Sequence, residues 1–268
     1  MSSRAKRAKP ATSDAPSAVK FIDRYAAQLT SGTFTSKGER TRFRLKIAAV
    51  KLLEKSGFQN LRVSDIASEA GLALGTFYVY FTDKAAIASD VMIDFGDDLY
   101  RRAQLIAHGR HDFEAVLVTN RFFVVNYKHN AGLVRCLFQL DDLLPEFSAR
   151  WRERRHQWME GIARSIARRS GNPNAPRSLS LPVAFALEGL IVQYLVELFI
   201  KQNSVLNKFR QSPDEIAEML SVLWYRAVYC EDPPAEMVRK AKGILALRRR
   251  EAARPPLKTV ETSEAQER

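Results

Sequence analysis

From residue 37 onward apolar side chains recur at intervals of three and four, and no stretch alternates with the period of two that a half-buried strand requires. Phe43, Ile47, Val50 and Leu53 share one face of a first helix over 39–56, which Gly57 and Phe58 end. Residues 63–78 divide into two short helices: Ile66 and Ala70 face inward on one, Phe77 on the other, and Gly71 lies between them. Long helices follow over 84–107, 113–129 and 145–170. Late in the chain Leu187, Leu190, Ile191, Tyr194, Leu195 and Leu198 form one stripe, and Ile216, Leu220, Leu223 and Ala227 another. Upstream, Val19, Ile22, Tyr25, Ala26 and Leu29 predict a short amphipathic helix ending at Gly32; residues 1–16 carry no periodic pattern and read as disordered. Residues 235–253 predict a last helix with Val238, Ile244, Leu245 and Leu247 on one side. The fold class is therefore all-α, and the absence of a motif recurring every 30 to 40 residues argues against a solenoid.

With 268 residues, 46% of them apolar and 27% charged, the chain has the composition of a soluble globular protein of one large or two small domains. Its most apolar run, 181–200, is interrupted by Glu188, Gln193 and Glu197, so no membrane partner is expected. The basic N-terminus never reaches an apolar secretory core, and the only two cysteines, Cys136 and Cys230, fit a reduced, cytoplasmic setting. Charge changes the picture more. The formal net charge is +12, and residues 1–46 carry eleven basic side chains against three acidic ones. A local excess of this kind suits a polyanion, since each neutralised phosphate releases condensed counterions. A solvated basic tail is the commoner use of such a run, so the motif that follows has to decide.

That motif is the helix pair at 63–78. Ala67 lets two helix axes approach, Gly71 supplies the positive φ of a tight turn, and the first helix closes the pair as a lid through Phe43 and Ile47. A second helix this short fits the major groove, roughly 12 Å wide, and Gly75 and Thr76 at its start are small enough for the backbone to approach DNA. An ordinary αα-corner would share the Ala and Gly, but not the run Tyr78-Val79-Tyr80-Phe81-Thr82-Asp83-Lys84.

Residues 39 to about 92 resemble the DNA-binding domain of the TetR family of bacterial transcriptional regulators, on the strength of Val63-Ser-Asp-Ile-Ala-Ser-Glu-Ala-Gly71 and Gly75-Thr-Phe-Tyr-Val-Tyr-Phe-Thr-Asp-Lys84. The resemblance implies that Thr76 and Tyr78 touch DNA, that Lys84 clamps a phosphate, that Arg42, Arg44 and Ser64 are further contacts, and that Tyr80 is either a contact or core. Three positions depart from the family pattern. Ala73 and Leu74 stand where Ser-Lys is frequent, Val79 where His is frequent, and Arg62 where a Ser or Thr cap is common. Apolar contact with thymine methyls and DNA shape therefore gain weight, and Arg62 is a candidate phosphate contact.

The resemblance also implies a helical body that binds a small-molecule effector and dimerises. Phe113, Phe122, Phe123, Tyr127, Trp151 and Trp158 are the candidate pocket aromatics, although plain core is the commoner use of such residues. A helix apolar nearly all round needs cover on both sides, so Leu187, Leu190, Ile191, Tyr194, Leu198, Leu220, Leu223 and Ala227 are expected at a two-fold interface. His108, His111, His129 and His156 lack a supporting Cys or carboxylate cluster, and no catalytic or phosphate-binding motif occurs; neither a metal, a cofactor nor an enzyme is expected. The organisation expected is a basic extension over 1–36, a helix-turn-helix domain over 37–84, an effector and dimerisation domain over 85–231, and a basic C-terminal extension over 232–268. The function expected is a homodimeric regulator of double-stranded DNA, a repressor released by an unknown small molecule. The alternatives are an activator, a ligand-independent DNA-binding protein or a helical small-molecule enzyme or carrier.

Overall fold

The computed structural model describes residues 20–32, 34–110, 112–169 and 176–247, and every regular element among them is helical. His111, residues 1–19 and residues 248–268 lie outside the described residues, and with them the N-terminal arm and most of the C-terminal basic run. The first helices are α1 (Phe21–Ser31), α2 (Lys37–Ser56), α3 (Val63–Glu69) and α4 (Leu74–Tyr80). The body follows with α5 (Lys84–Ala107), α6 (Asp112–His129), α7 (Ala131–Leu143), α8 (Pro145–Arg169) and α9 (Arg177–Leu195). A π-helical turn, Val196–Ile200, extends α9 and leads to α10 (Ser204–Asn207) and α11 (Pro213–Tyr229).

Local chemistry sets these boundaries. Ser36 Oγ accepts the Glu39 N–H at 3.0 Å and starts α2, which Gly57 ends at φ +76°. Asp83 caps α5 by accepting the Ala86 N–H at 2.8 Å. At the start of α11, Ser212 and Glu215 form a reciprocal capping box, with Pro213 in the first turn where its missing N–H costs nothing.

One core runs through both expected domains. Ile47, Leu53, Ile66 and Phe77 of the first helices share it with Val91 and Phe95 of α5, Leu133 of α7 and Leu220 of α11. The contact of α2 with α7 is close: a Cβ on Gly132 would lie 2.1 Å from the Glu54 carbonyl oxygen. The Glu54 carboxylate accepts the N–H groups of Gly132 and Leu133 at 3.2 and 2.8 Å, so a side chain of α2 caps α7.

Two expectations about the ends are corrected. The helix expected near the N-terminus exists, but α1 is part of the core, not an appendage. Phe21 and Tyr25 are buried, Phe21 packs edge-on against Phe95 at 5.2 Å, and its N–H donates to Asn130 Oδ1 at 2.8 Å. Phe43, expected to close the helix pair, instead meets Tyr25 at 4.7 Å and Phe34 at 5.3 Å. At the other end, the part of the helix expected over 235–253 that lies among the described residues, 235–247, is replaced by 3₁₀ turns at Ala235–Met237 and Lys242–Ala246. Buried Glu218 accepts the backbone N–H groups of Lys240 and Ala241, and this competes with a helical ladder while Val238 plugs into the core.

Buried Lys46 of α2 pairs with Asp94 of α5, and the Tyr25 hydroxyl donates to the same carboxylate. Removing that carboxylate strands a charge in the core. Asp94→Ala is expected to cost about 3 kcal/mol of stability, measured by urea denaturation, and adding Lys46→Met should recover part of the loss.

Candidate nucleic-acid interface and internal cavity

The turn between α3 and α4 is made by Gly71 at φ +64°, whose N–H donates to Ser68 O at 2.9 Å, while the Leu72 N–H donates to Ala67 O at 2.9 Å. Ile66, Ala67 and Phe77 are buried beneath it. At about 100° per residue, the side of α4 opposite Phe77 carries Gly75 and Val79. Leu74 and Tyr78 flank that side on one edge and Thr76 on the other. Leu74, Tyr78 and Val79 are 49%, 57% and 75% exposed, and nothing lies within 4 Å of a Cβ built on Gly75. Tyr80 is half-buried with its hydroxyl beside Gly38, which brings the exposed Lys37 and Arg40 of α2 next to the end of α4.

The expected contact residues divide into two groups. Ala73, Leu74, Gly75, Thr76 and Tyr78 gather on the open side of α4, and exposed Arg62 and Ser64 lie at the start of α3, where Arg62 makes no side-chain cap. Arg42 and Arg44 are engaged inside the protein. Arg42 pairs with Asp90 of α5 and lies 4.7 Å from the centre of the Phe81 ring; Arg44 donates to Ala70 O at 2.6 Å and braces the turn. Both reach inward because a carboxylate or carbonyl there holds the guanidinium more firmly than water does. Lys84 donates to the carbonyls of Phe58 and Gln59 at 3.4 and 3.2 Å, which leaves one of its three N–H donors for an outside anion. Lys37 and Arg40, exposed beside the end of α4, stand out in the sequence only as members of the basic run.

α5 links this unit to the body through a row of carboxylates. Asp90 faces Arg42 of α2 and, at 3.6 Å, Arg150 of α8. Asp94 faces Lys46 and Tyr25, Asp97 meets Arg154 of α8 at 3.1 Å, and Asp98 meets Arg24 of α1 at 2.6 Å.

Behind α5 the body encloses a cavity of about 710 Å³. Tyr100 of α5 lies between Trp151 and Trp158 of α8, with ring centres 5.6 and 5.1 Å away and planes within 11° and 9° of parallel. Phe123, Tyr127 and Trp224 add to the wall, so all three tryptophans of the chain line this space. One ion pair crosses the apolar lining: Arg155 donates to Glu188 through Nε at 3.1 Å and Nη2 at 2.5 Å. Burial holds the Tyr100 and Tyr127 hydroxyls well above the usual phenol range, so both stay neutral donors. Of the six aromatics expected here, Phe123, Tyr127, Trp151 and Trp158 line the cavity. Phe113 and Phe122 are corrected to core: both are 1% exposed, Phe113 against Tyr225 and Phe122 against Phe123. Tyr100, Arg155, Glu188 and Trp224 were missed because charged or isolated residues do not announce a pocket by periodicity. His108 also lines the cavity, and no group of metal-ligating side chains occurs among the described residues.

The stripes expected at a two-fold interface are partly turned inward. Leu187 and Leu220 are buried within the chain, Ile191 lines the cavity, and the Tyr194 hydroxyl donates to Gln211 at 2.7 Å. Leu198 and Leu223 are half-buried against the core. The exposed side of α9 carries Leu179, Pro182, Ala186 and Leu190 instead, with Ala227 exposed on α11. Ser178–Ile200 is long and apolar enough to cross a membrane, with mean hydropathy 1.9, and only 22% of that window is buried.

Residues 47–91 match the family described as "Bacterial regulatory proteins, tetR family". This stretch covers the second half of α2, the helix pair and the start of α5. The helix-turn-helix unit of this chain is of the TetR type. It is 33% identical over 95 residues to the HTH-type transcriptional regulator YvdT of Bacillus subtilis, covering 33% of this chain and 47% of that protein. It is 34% identical over 106 residues to the HTH-type transcriptional repressor KstR2 of Rhodococcus jostii, covering 38% and 49%. The matches thus span about half the length of these relatives. A TetR-family transcriptional regulator from Mesorhizobium loti has the same fold, with TM-score 0.57 and 18% identity over 72% of this chain and 98% of that one.

Gly75 costs helix stability without a packing reason inside the chain. Gly75→Ala is expected to leave the fold intact and stabilise it by up to about 0.5–1 kcal/mol, read as a raised Tm, while weakening DNA binding in a gel shift because the new methyl holds α4 away from the groove.

Proposed function

We propose that this chain is a homodimeric TetR-family transcriptional regulator that binds a palindromic DNA site, represses adjacent genes, and lets go when a largely apolar small molecule enters the cavity behind α5. The observation that carries the reading is the open side of α4, flanked by Lys37, Arg40 and Arg62, at one end of a helix whose other end walls the cavity. Exposed N–H groups at the start of α4 and the remaining donor of Lys84 suit phosphate, and the small residues at 73 and 75 admit the groove. A second copy on the exposed side of α9 would cover its apolar surface, and Pro182 and Ala186 would let a partner helix approach. Two-fold symmetry then sets two copies of α4 about one helical turn of DNA apart or more. Repression follows the named role of KstR2, a relative over part of the chain.

The release route uses α8. It carries Trp151, Arg155 and Trp158 into the cavity and holds α5 through Arg150 and Arg154. Asp90 is shared between Arg150 and Arg42 of the DNA-binding unit, so a shift of α8 competes for the carboxylate that positions α2.

A footprint on DNA flanking the gene should protect a symmetric site, and failure of the folded protein to protect any would overturn the reading. Tyr78→Ala and Lys84→Ala should each weaken binding by about 1–3 kcal/mol. Asp90→Asn should leave cavity occupancy unchanged, followed by quenching of the three tryptophans, yet reduce the release of DNA that a quenching compound causes. Equal release by wild type and variant would place the coupling elsewhere.

A further inference from the structure

The outward side of α4 has almost nothing with which to hydrogen-bond a base. From Ala73 to Phe81 there is no amide, guanidinium, amine or carboxylate side chain; the polar groups are the hydroxyls of Thr76, Tyr78 and Tyr80. Tyr80 is turned toward Gly38, and Thr76 and Tyr78 sit on the edges of the helix, where phosphates would lie. What projects from the open side is hydrocarbon: Val79 opposite the buried Phe77 and 75% exposed, and Leu74 in the first turn, 49% exposed. Neither exposure is explained by folding. Val is a poor helix former on a free surface, a bare apolar side chain there gains nothing from water, and Val79 points away from the core that holds α4 while Leu74 stands outside that core on the edge it shares with Tyr78.

In the major groove one feature of the bases rewards such side chains. Thymine alone among the four presents a C5-methyl group there, whereas cytosine, adenine and guanine present donors or acceptors that an aliphatic group would desolvate without pairing. We propose that α4 reads its site through thymine methyl groups packed against Leu74 and Val79, so that A·T pairs occupy the positions under these two residues in each half-site. The inference rests on the DNA-binding reading above and adds to it the chemistry of recognition.

The test begins with selection of a preferred site from random duplex DNA by the full chain. Each thymidine in that site is then replaced in turn by deoxyuridine, which removes the methyl and leaves every hydrogen-bonding edge unchanged. At one or two positions per half-site this should weaken binding about 3–5-fold, the size expected for one lost methyl contact. Leu74→Ala and Val79→Ala, both at exposed positions that the fold does not use, should each abolish the discrimination between thymine and uracil at its own position and leave the other intact. A selected site bound equally well with uracil throughout, or one with G·C pairs under α4, overturns the inference while DNA binding stands. Enrichment of no sequence at all overturns the DNA-binding reading and this inference together.

Discussion

The row of carboxylates on α5 is the constraint on which the rest of the arrangement depends. Asp90, Asp94 and Asp98 follow one another at intervals of four, with Asp97 beside them, so they crowd along one side of a single helix and repel unless cations sit between them. The cations come from three directions. Arg24 arrives on α1, Arg42 and Lys46 on α2, and Arg150 and Arg154 on α8. Pairs this exposed contribute little one by one, but Lys46 is buried, and the set fixes which side of α5 each neighbour must face. Apolar packing beneath supplies the larger share of stability; the charges supply the register.

This use of charge revises what the basic N-terminal segment, residues 1–46, means. Four of its eleven basic residues, Arg24, Arg42, Arg44 and Lys46, are engaged within the fold, three of them with α5. The count of basic residues in a segment cannot distinguish them from Lys37 and Arg40, which stay exposed. The signal that separates them was present in the sequence as matched spacing: 42 and 46 on one helix, 90 and 94 on another, each a helical turn apart. Reading it required knowing that the two helices run side by side, which local periodicity does not state.

The same limit explains the other differences. The helix pair was legible because Gly71, Ala67 and Phe77 have duties set by local geometry, and α5 was legible to both ends because Asp83 caps it and its apolar spacing continues past Gly96. α9 was not, because a helix apolar on every side gives no sign of which side meets its own chain. Leu187 turned inward and Leu190 outward although they are neighbours in one stripe. The cavity was legible only in part for a related reason. Aromatics mark large apolar volume, but whether that volume is filled, as around Phe113, or left open, as beside Trp158, depends on how the six surrounding helices splay apart. Glu188 and Arg155, the pair that crosses it, are far apart in sequence and carry no spacing to connect them.

Under the proposed function an occupant of the cavity would act on the helix-turn-helix through the contact between α5 and α8. A Cβ on Gly96 would lie 2.3 Å from the Trp151 ring, so the tryptophan already rests on the α5 backbone with no room to retreat in that direction. Trp151 is also stacked on Tyr100, one turn further along α5, and Tyr100 is held on its other face by Trp158. Packed interiors transmit displacement instead of absorbing it. A molecule that wedges against these rings must therefore either break the stack or move α8 and α5 relative to each other, and the second course strains the two ion pairs, Arg150 with Asp90 and Arg154 with Asp97, that lie one residue and one turn from the stacked rings. Because Asp90 also holds Arg42, that strain would reach α2 without any intervening flexible segment, and α2 is the helix against which α3, and through it α4, is packed.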